Sequence, residues 1–244
     1  MRTVTIILSL AICSITTVNA QWWGNSKKIE GDGNVITKTR NLSEYDQVKV
    51  KGSLDVSLVS GTEGSIKIEG ESNLIPYVVT EIDGDALKIY VKKGYYLKVS
   101  RNKELIITVP FKDLSKVSLT GSGDVYSDDV IKASDFKTSV SGSGDVRLAV
   151  EANNIQSSVS GSGDLILKGT ADNLECTVTG SGDLKAYDLK AKDVVASVTG
   201  SGDIKVTSTS YIKARVTGSG DIDYQGNPER EDKKVSGSGD ITRH

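Results

Sequence analysis

The chain has 244 residues, a formal net charge of −2 and 37% hydrophobic residues, enough for one elongated domain or two with a sizeable core. The near-neutral balance carries no basic stripe, which argues against nucleic acid as a partner. With 25 Gly and 3 Pro, the composition points to many tight turns.

Residues 1–20 read as a secretory signal. Arg2 supplies the positive start, Val4 to Val18 is mostly apolar, and Val18-Asn19-Ala20 offers small side chains for cleavage before Gln21. The apolar run is short for a membrane span, so no transmembrane segment is expected in the mature chain. Lipidation at Cys13 is the alternative processing, although Ile12 just before it fits a lipoprotein signal poorly. Either route exports the protein, to the cell surface, the outer membrane or the periplasm. The mature chain then holds one cysteine, Cys176, so no intrachain disulfide can form. A nucleophilic thiol needs a base, and the one histidine is the last residue, His244. Cys176 therefore reads as a small buried filler.

Residues 21–110 form an N-terminal β-rich part. Gln21 to Lys28 reads as a mobile lead-in; its Trp22 and Trp23 either tuck against the first coil or are free to stack on a sugar ring. Strands are expected at Val48-Lys49-Val50, Val56-Ser57-Leu58, Ile66-Lys67-Ile68, Leu87 to Val91 and Leu105 to Val109. Gly52-Ser53-Leu54-Asp55 looks like a degenerate copy of a later motif. Tyr90, Tyr95 and Tyr96 lie near Lys92, Lys93 and Lys98, as a packing cluster or a sticky patch. Pro110 ends the last strand and marks a soft boundary.

Residues 111–244 are a repeat. Gly121-Ser122-Gly123-Asp124 recurs from Gly142, Gly161, Gly180, Gly200, Gly218 and Gly237, at intervals of 21, 19, 19, 20, 18 and 19 residues. A motif at a near-fixed period means one structural unit stacked many times. The turn glycines are Gly121, Gly123, Gly142, Gly144, Gly161, Gly163, Gly180, Gly182, Gly200, Gly202, Gly218, Gly220, Gly237 and Gly239. Glycine reaches positive φ without a Cβ penalty and so suits a sharp corner. Around the corners, apolar residues fall at even offsets. Phe136, Ile155, Leu174, Val194 and Ile212 lie four residues before Val140, Val159, Val178, Val198 and Val216. Between them stand the compact Thr138, Ser157, Cys176, Ala196 and Ala214. After the motif come Val125, Val146, Leu165, Leu184, Ile204, Ile222 and Ile241. Even spacing implies two short strands per unit, each with one buried face.

A 19-residue unit at ~3.3 Å per residue has roughly 60 Å of contour, which fits a flattened coil. The expected fold is all-β: a parallel β-helix with coils of about 19–20 residues stacked at ~4.8 Å. A meander of hairpins is the rival. It would leave one apolar sheet face without a partner layer, whereas a coil buries its two strands against each other. In the last unit, Glu231 and Lys233 replace apolar positions while the spacing is kept. This reads as a charged cap over an open sheet edge.

The aspartates Asp124, Asp145, Asp164, Asp183, Asp203, Asp221 and Asp240 would stack as a ladder of carboxylates. Neighbours ~5 Å apart in water repel by about 0.8 kcal/mol. Either each carboxylate accepts N–H bonds from its own corner in an Asx-type turn, or neighbouring carboxylates share Ca²⁺. Ca²⁺-binding Gly-rich repeats have a nonapeptide pattern that this spacing lacks. No other cofactor is expected. Catalysis is not expected either, because identical carboxylates on every coil single out no site and the short loops wall no deep cleft.

The Gly-Ser-Gly-Asp corners, the Val-Thr or Val-Ser before them, and the lead-in Tyr45-Asp46…Gly52…Asp55-Val56 resemble the bacterial GIN-domain proteins, described as autotransporter-like adhesin heads. The resemblance covers roughly Ile36 to Ile241. It implies a single-stranded right-handed β-helix of the pectin-lyase-like kind, with no catalytic residues carried over, and a role in adhesion at the cell surface.

The expected function is that of an exported, non-catalytic adhesin. It would bind a surface or matrix glycan or protein through flat faces bearing Ser139, Ser158, Thr177 and Ser197. A periplasmic scaffold protein and a carbohydrate-active β-helix enzyme are the alternatives.

Overall fold

A computed structural model describes residues 26–244. The signal sequence, Cys13, Trp22 and Trp23 lie outside these residues. The N-terminal strands are Lys27–Glu30 (β1), Val35–Asn41 (β2), Gln47–Gly52 (β3), Asp55–Ser60 (β4) and Ser65–Glu71 (β5). Val78–Asp83 (β6), Ala86–Val91 (β7), Tyr95–Lys98 (β8) and Ile106–Phe111 (β9) follow. The repeat supplies Lys116–Gly121 (β10), Val125–Gly142 (β11), Val146–Gly161 (β12), Leu165–Gly180 (β13), Leu184–Gly200 (β14) and Ile204–Gly218 (β15). Ile222–Gln225 (β16), Arg230–Gly237 (β17) and Ile241–Arg243 (β18) complete it.

The repeat is a parallel β-helix of about seven turns. Every pairing among β10 to β18 is parallel and joins equivalent residues of successive coils, as in Val140↔Val159 and Val159↔Val178. The expected two short strands per coil are replaced by one long ladder of 15–18 residues in each of β11 to β15. The ladder is interrupted mid-coil by register shifts, between Tyr126 and Val130, Ile166 and Gly169, and Ala186 and Lys190, and then resumes. The inward alternation also slips, between Val150 and Ile155, Ala171 and Leu174, and Ala191 and Val194. Pairing breaks at the Ser-Gly-Asp corners, so these set the length of each rung.

The interior follows the expected columns. Val140, Val159, Val178, Val198 and Val216 are buried, as are Thr138, Ser157, Cys176, Ala196 and Ala214. At ~25 cal/mol per Å² of apolar area, no coil would hold alone, and neighbouring coils share one continuous cluster from Tyr45 to Tyr224. At the upper end β17, with Glu231 and Lys233, pairs with β15 as a further rung. All of β17 is exposed. Tyr224 fills the space beneath it, with Lys233 Nζ 5.3 Å from its ring centroid and 2.9 Å from Glu231.

The N-terminal part belongs to the same stack. β3 pairs with β10 with Gly52 opposite Gly121, and β4 pairs with β11. Gly52-Ser53-Leu54-Asp55 is thus the corner of a bottom coil. The chain leaves that coil after β4 and returns at β10. Within the excursion β7 and β9 continue the parallel ladders beneath β3 and β4, while β5 pairs antiparallel with β9, β6 with β7, and β5 also with β2, which precedes β3. Glu71, fully buried, anchors the excursion by accepting N–H bonds from Gly33 (2.6 Å) and Ser100 (2.8 Å). Lys27 and Lys28, read as part of a mobile lead-in, instead sit in β1, paired parallel with β8 because Ile29 and Leu97 align.

Candidate functional site

The seven corners form a spine along one side of the stack. In each, the first glycine has φ between +118° and +139°. A Cβ there would lie 2.0–2.5 Å from the carbonyl oxygen of the glycine below. The second glycine needs no positive φ. Its added Cβ would meet the backbone oxygen below at 2.0–2.2 Å. Close approach of stacked backbones therefore excludes a side chain at both glycines, and positive φ is a further requirement at the first. Leu54 takes the second place in the bottom coil, buried beneath Gly123.

The hydrogen bonds of the spine account for the sequence of the motif. The carbonyl of Gly142 accepts from Ser162 N (2.8 Å) and Gly163 N (3.0 Å) of the coil above. One step later the direction reverses, and Val146 N donates upward to Asp164 O at 2.9 Å. The reversal would orphan the Asp164 N–H, and it donates to Asp145 Oδ1 of the coil below at 2.9 Å. The same bond runs from Asp124 N to Asp55 Oδ1 through to Asp240 N to Asp221 Oδ1, at 2.7–3.1 Å. The aspartates do not close Asx turns in their own corners. Each of Asp124, Asp145, Asp164, Asp183, Asp203 and Asp221 satisfies a backbone donor of the next coil that the ladder leaves unpaired.

This use of one oxygen per carboxylate, together with Lys185, offsets the repulsion along the column. Lys185 Nζ lies 2.6 Å from Asp164 and 3.4 Å from Asp183. Hydrogen bonding to Asp164 raises its ammonium above the ordinary lysine value. Lower on the spine, Asp55, Glu104, Asp124 and Asp145 line a groove of about 300 Å³. Burial, and then the charges of Asp124 and Glu104, push the Asp55 carboxyl up. Among the described residues no group of three or more His, Cys, Asp or Glu side chains converges as a metal site.

Beside the spine, the outer face of each coil carries hydroxyls in register. Ser139, Ser158, Thr177 and Ser197 are half-buried. Ser141, Ser160, Thr179 and Thr199, two residues on, are exposed and face the same way. The two columns climb the stack in the pairings that align Val140, Val159, Val178 and Val198. Cys176 points the other way. It is fully buried, 3.3 Å from Ser157 Oγ, and burial pushes its thiol up to about 12. His244 is far along the chain, 3.2 Å from Asp223.

One column escaped the sequence reading. Seven residues before each motif stand Asp135, Asn154, Asn173, Asp193, Tyr211 and Arg230, in register. Counting seven back from each motif glycine would have found it. Apolar columns draw the eye because they are uniform, and this one changes residue type on most coils.

With this architecture in view, the comparisons with known proteins fall into place. The family model described as "Putative auto-transporter adhesin, head GIN domain" matches residues 44–228. The chain belongs to this family. A putative adhesin from Bacteroides fragilis is similar in structure, with TM-score 0.80 and 24% identity over 88% of this chain and 100% of that one. A putative lipid binding protein from Parabacteroides distasonis gives TM-score 0.73 and 29% identity over 89% of this chain and 100% of that one. A putative adhesin from the same organism gives 0.72 and 24% over the same shares. No curated protein matches the chain. No helix among the described residues is long and apolar enough to cross a membrane.

Proposed function

We propose that this family member is an exported, non-catalytic adhesin that binds a surface or matrix glycan or protein through the outer faces of its coils. The observation that carries this reading is the pair of in-register hydroxyl columns, Ser139 to Ser197 and Ser141 to Thr199. A rigid ladder holds these groups at a fixed ~4.8 Å repeat. Their binding cost is low because few rotamers remain to be ordered. Membership of an adhesin family supports the reading. So does the state of the likeliest-looking nucleophile by type, Cys176, which is sealed in the core as a thiol.

The test is surface labelling followed by adhesion. A membrane-impermeant lysine reagent applied to intact cells is expected to label the protein. The purified protein is expected to adhere to glycan- or matrix-coated wells. Labelling only after the outer membrane is opened, with no adhesion, would refute the proposal.

A further inference from the structure

We propose that the column seven residues before each corner is the floor of a binding groove for a linear, neutral glycan lying along the stack. This deepens the adhesin reading above and rests on it. The groove measures about 370 Å³ and spans four coils. Each coil offers it a pair of outward side chains two residues apart: Asp135 with Lys137, Asn154 with Gln156, Asn173 with Glu175, and Asp193 with Val195.

Three features select the ligand. The first is an internal chain of amide bonds that stops short. Asn154 Nδ2 donates to Asp135 Oδ1 and Asn173 Nδ2 donates to Asn154 Oδ1, both at 2.8 Å. The next rung is Asp193, which has no donor to offer Asn173, and Asp193 Oδ1 is buried without a hydrogen-bond partner. Each amide also keeps a second N–H. The column therefore presents both donors and acceptors, which hydroxyl groups complement because each can donate and accept. The second feature is apolar surface beside the amides. Val195 is 40% exposed on the wall, a place for the C–H face of a sugar ring. The third is the repeat. Coils rise ~4.8 Å, close to the length of one pyranose unit, whereas an extended peptide advances ~3.3 Å per residue and drifts out of register. The mixed charge of Lys137, Glu175, Asp135 and Asp193 gives no basic track for a polyanion. Tyr211 follows Asp193 on the next rung, with the Arg230 guanidinium 5.1 Å from its ring centroid.

The experiment is affinity electrophoresis and calorimetry of the purified protein with soluble mixed-linkage glucan, xylan and galactomannan. The variants are Asn173→Ala, Gln156→Ala and, as a control in β2 away from the coil faces, Lys38→Ala. Binding of at least one polysaccharide is expected, insensitive to salt. It should weaken about tenfold or more in both groove variants, at unchanged Tm, and hold in Lys38→Ala. Gln156 is exposed, so its variant keeps the test valid if Asn173→Ala unfolds. Unchanged binding in Gln156→Ala, an equal loss in Lys38→Ala, or no binding of any of the three would overturn the groove. Adhesion of the same preparation to coated wells then decides separately whether the adhesin reading survives.

Discussion

The bottom coil and the coils above it share one corner motif but solve different packing problems. Above Gly121, each corner rests on an identical corner, and both glycines are dictated by backbone 2.0–2.5 Å from where a Cβ would sit. At the bottom, no atom comes within 4 Å of a Cβ on Gly52, and Leu54 occupies the second glycine's place. Around Leu54 the core is built from bulky side chains that pack individually: Leu58, Ile66, Ile68, Leu87, Ile89, Ile107 and Phe111. Higher up, the core is made of columns that repeat from coil to coil, a large one of Phe136, Ile155, Leu174, Val194 and Ile212 beside a compact one of Thr138, Ser157, Cys176, Ala196 and Ala214. The comparison teaches that glycine in this fold records what lies beneath a residue as much as what its own backbone does.

That contrast can be broken most sharply at the corners. Gly163→Ala should cost about 3 kcal/mol or more, because backbone and not a pliable side chain blocks the new methyl. Gly52→Ala, with φ +97° but open space around it, should cost only about 1–2 kcal/mol. Denaturant melts of the two variants give the difference directly, and equal losses would refute the argument from space. Leu54→Ala should cost about 2–4 kcal/mol as a cavity in the bottom core. A neutral result would show the bottom coil to be loosely packed.

The aspartate spine gives a smaller effect. Asp164→Ala removes the acceptor for the Asp183 N–H and should cost about 1–3 kcal/mol. Asp164→Asn keeps an acceptor oxygen and should recover most of that loss. If the two variants melted together, charge rather than the hydrogen bond would be the role of the carboxylate.

The effect at Cys176 is nil at neutral pH and appears only in alkali. Its thiol is raised from 9.0 to about 12 by burial. The folded state therefore holds a proton that the unfolded state releases. The stability this provides is complete below about pH 9 and declines as pH rises toward 12. Cys176→Ala, which matches Ala196 and Ala214 in the same column, should flatten that part of the pH–stability curve. Parallel curves for both proteins would sink the assignment.

The repeat was legible because a coil is specified by columns, and columns survive as periodicity. Phe136, Thr138 and Val140, with their counterparts, gave the buried face and the register. Two things were illegible for physical reasons. Hydrogen-bond partners 18–21 residues apart are set by the reversal at each corner, which spacing does not reveal, so the aspartates were assigned to the wrong coil. The excursion between Gly52 and Gly121 has no period. Its strands at Ile66, Leu87 and Ile107 could be recognised one by one, but their mixture of parallel and antiparallel pairing could not.

The glycine spine has a consequence for how such a chain changes length. Every corner from Gly142 upward meets the same surface below and offers the same surface above. A whole coil cut from one corner to the next leaves no new junction to be invented. Removing residues 161–179 would join Ser160 to Gly180 and rebuild a corner of the kind already present. The stack can thus be lengthened or shortened by recombination between the repeats, one ~4.8 Å step at a time.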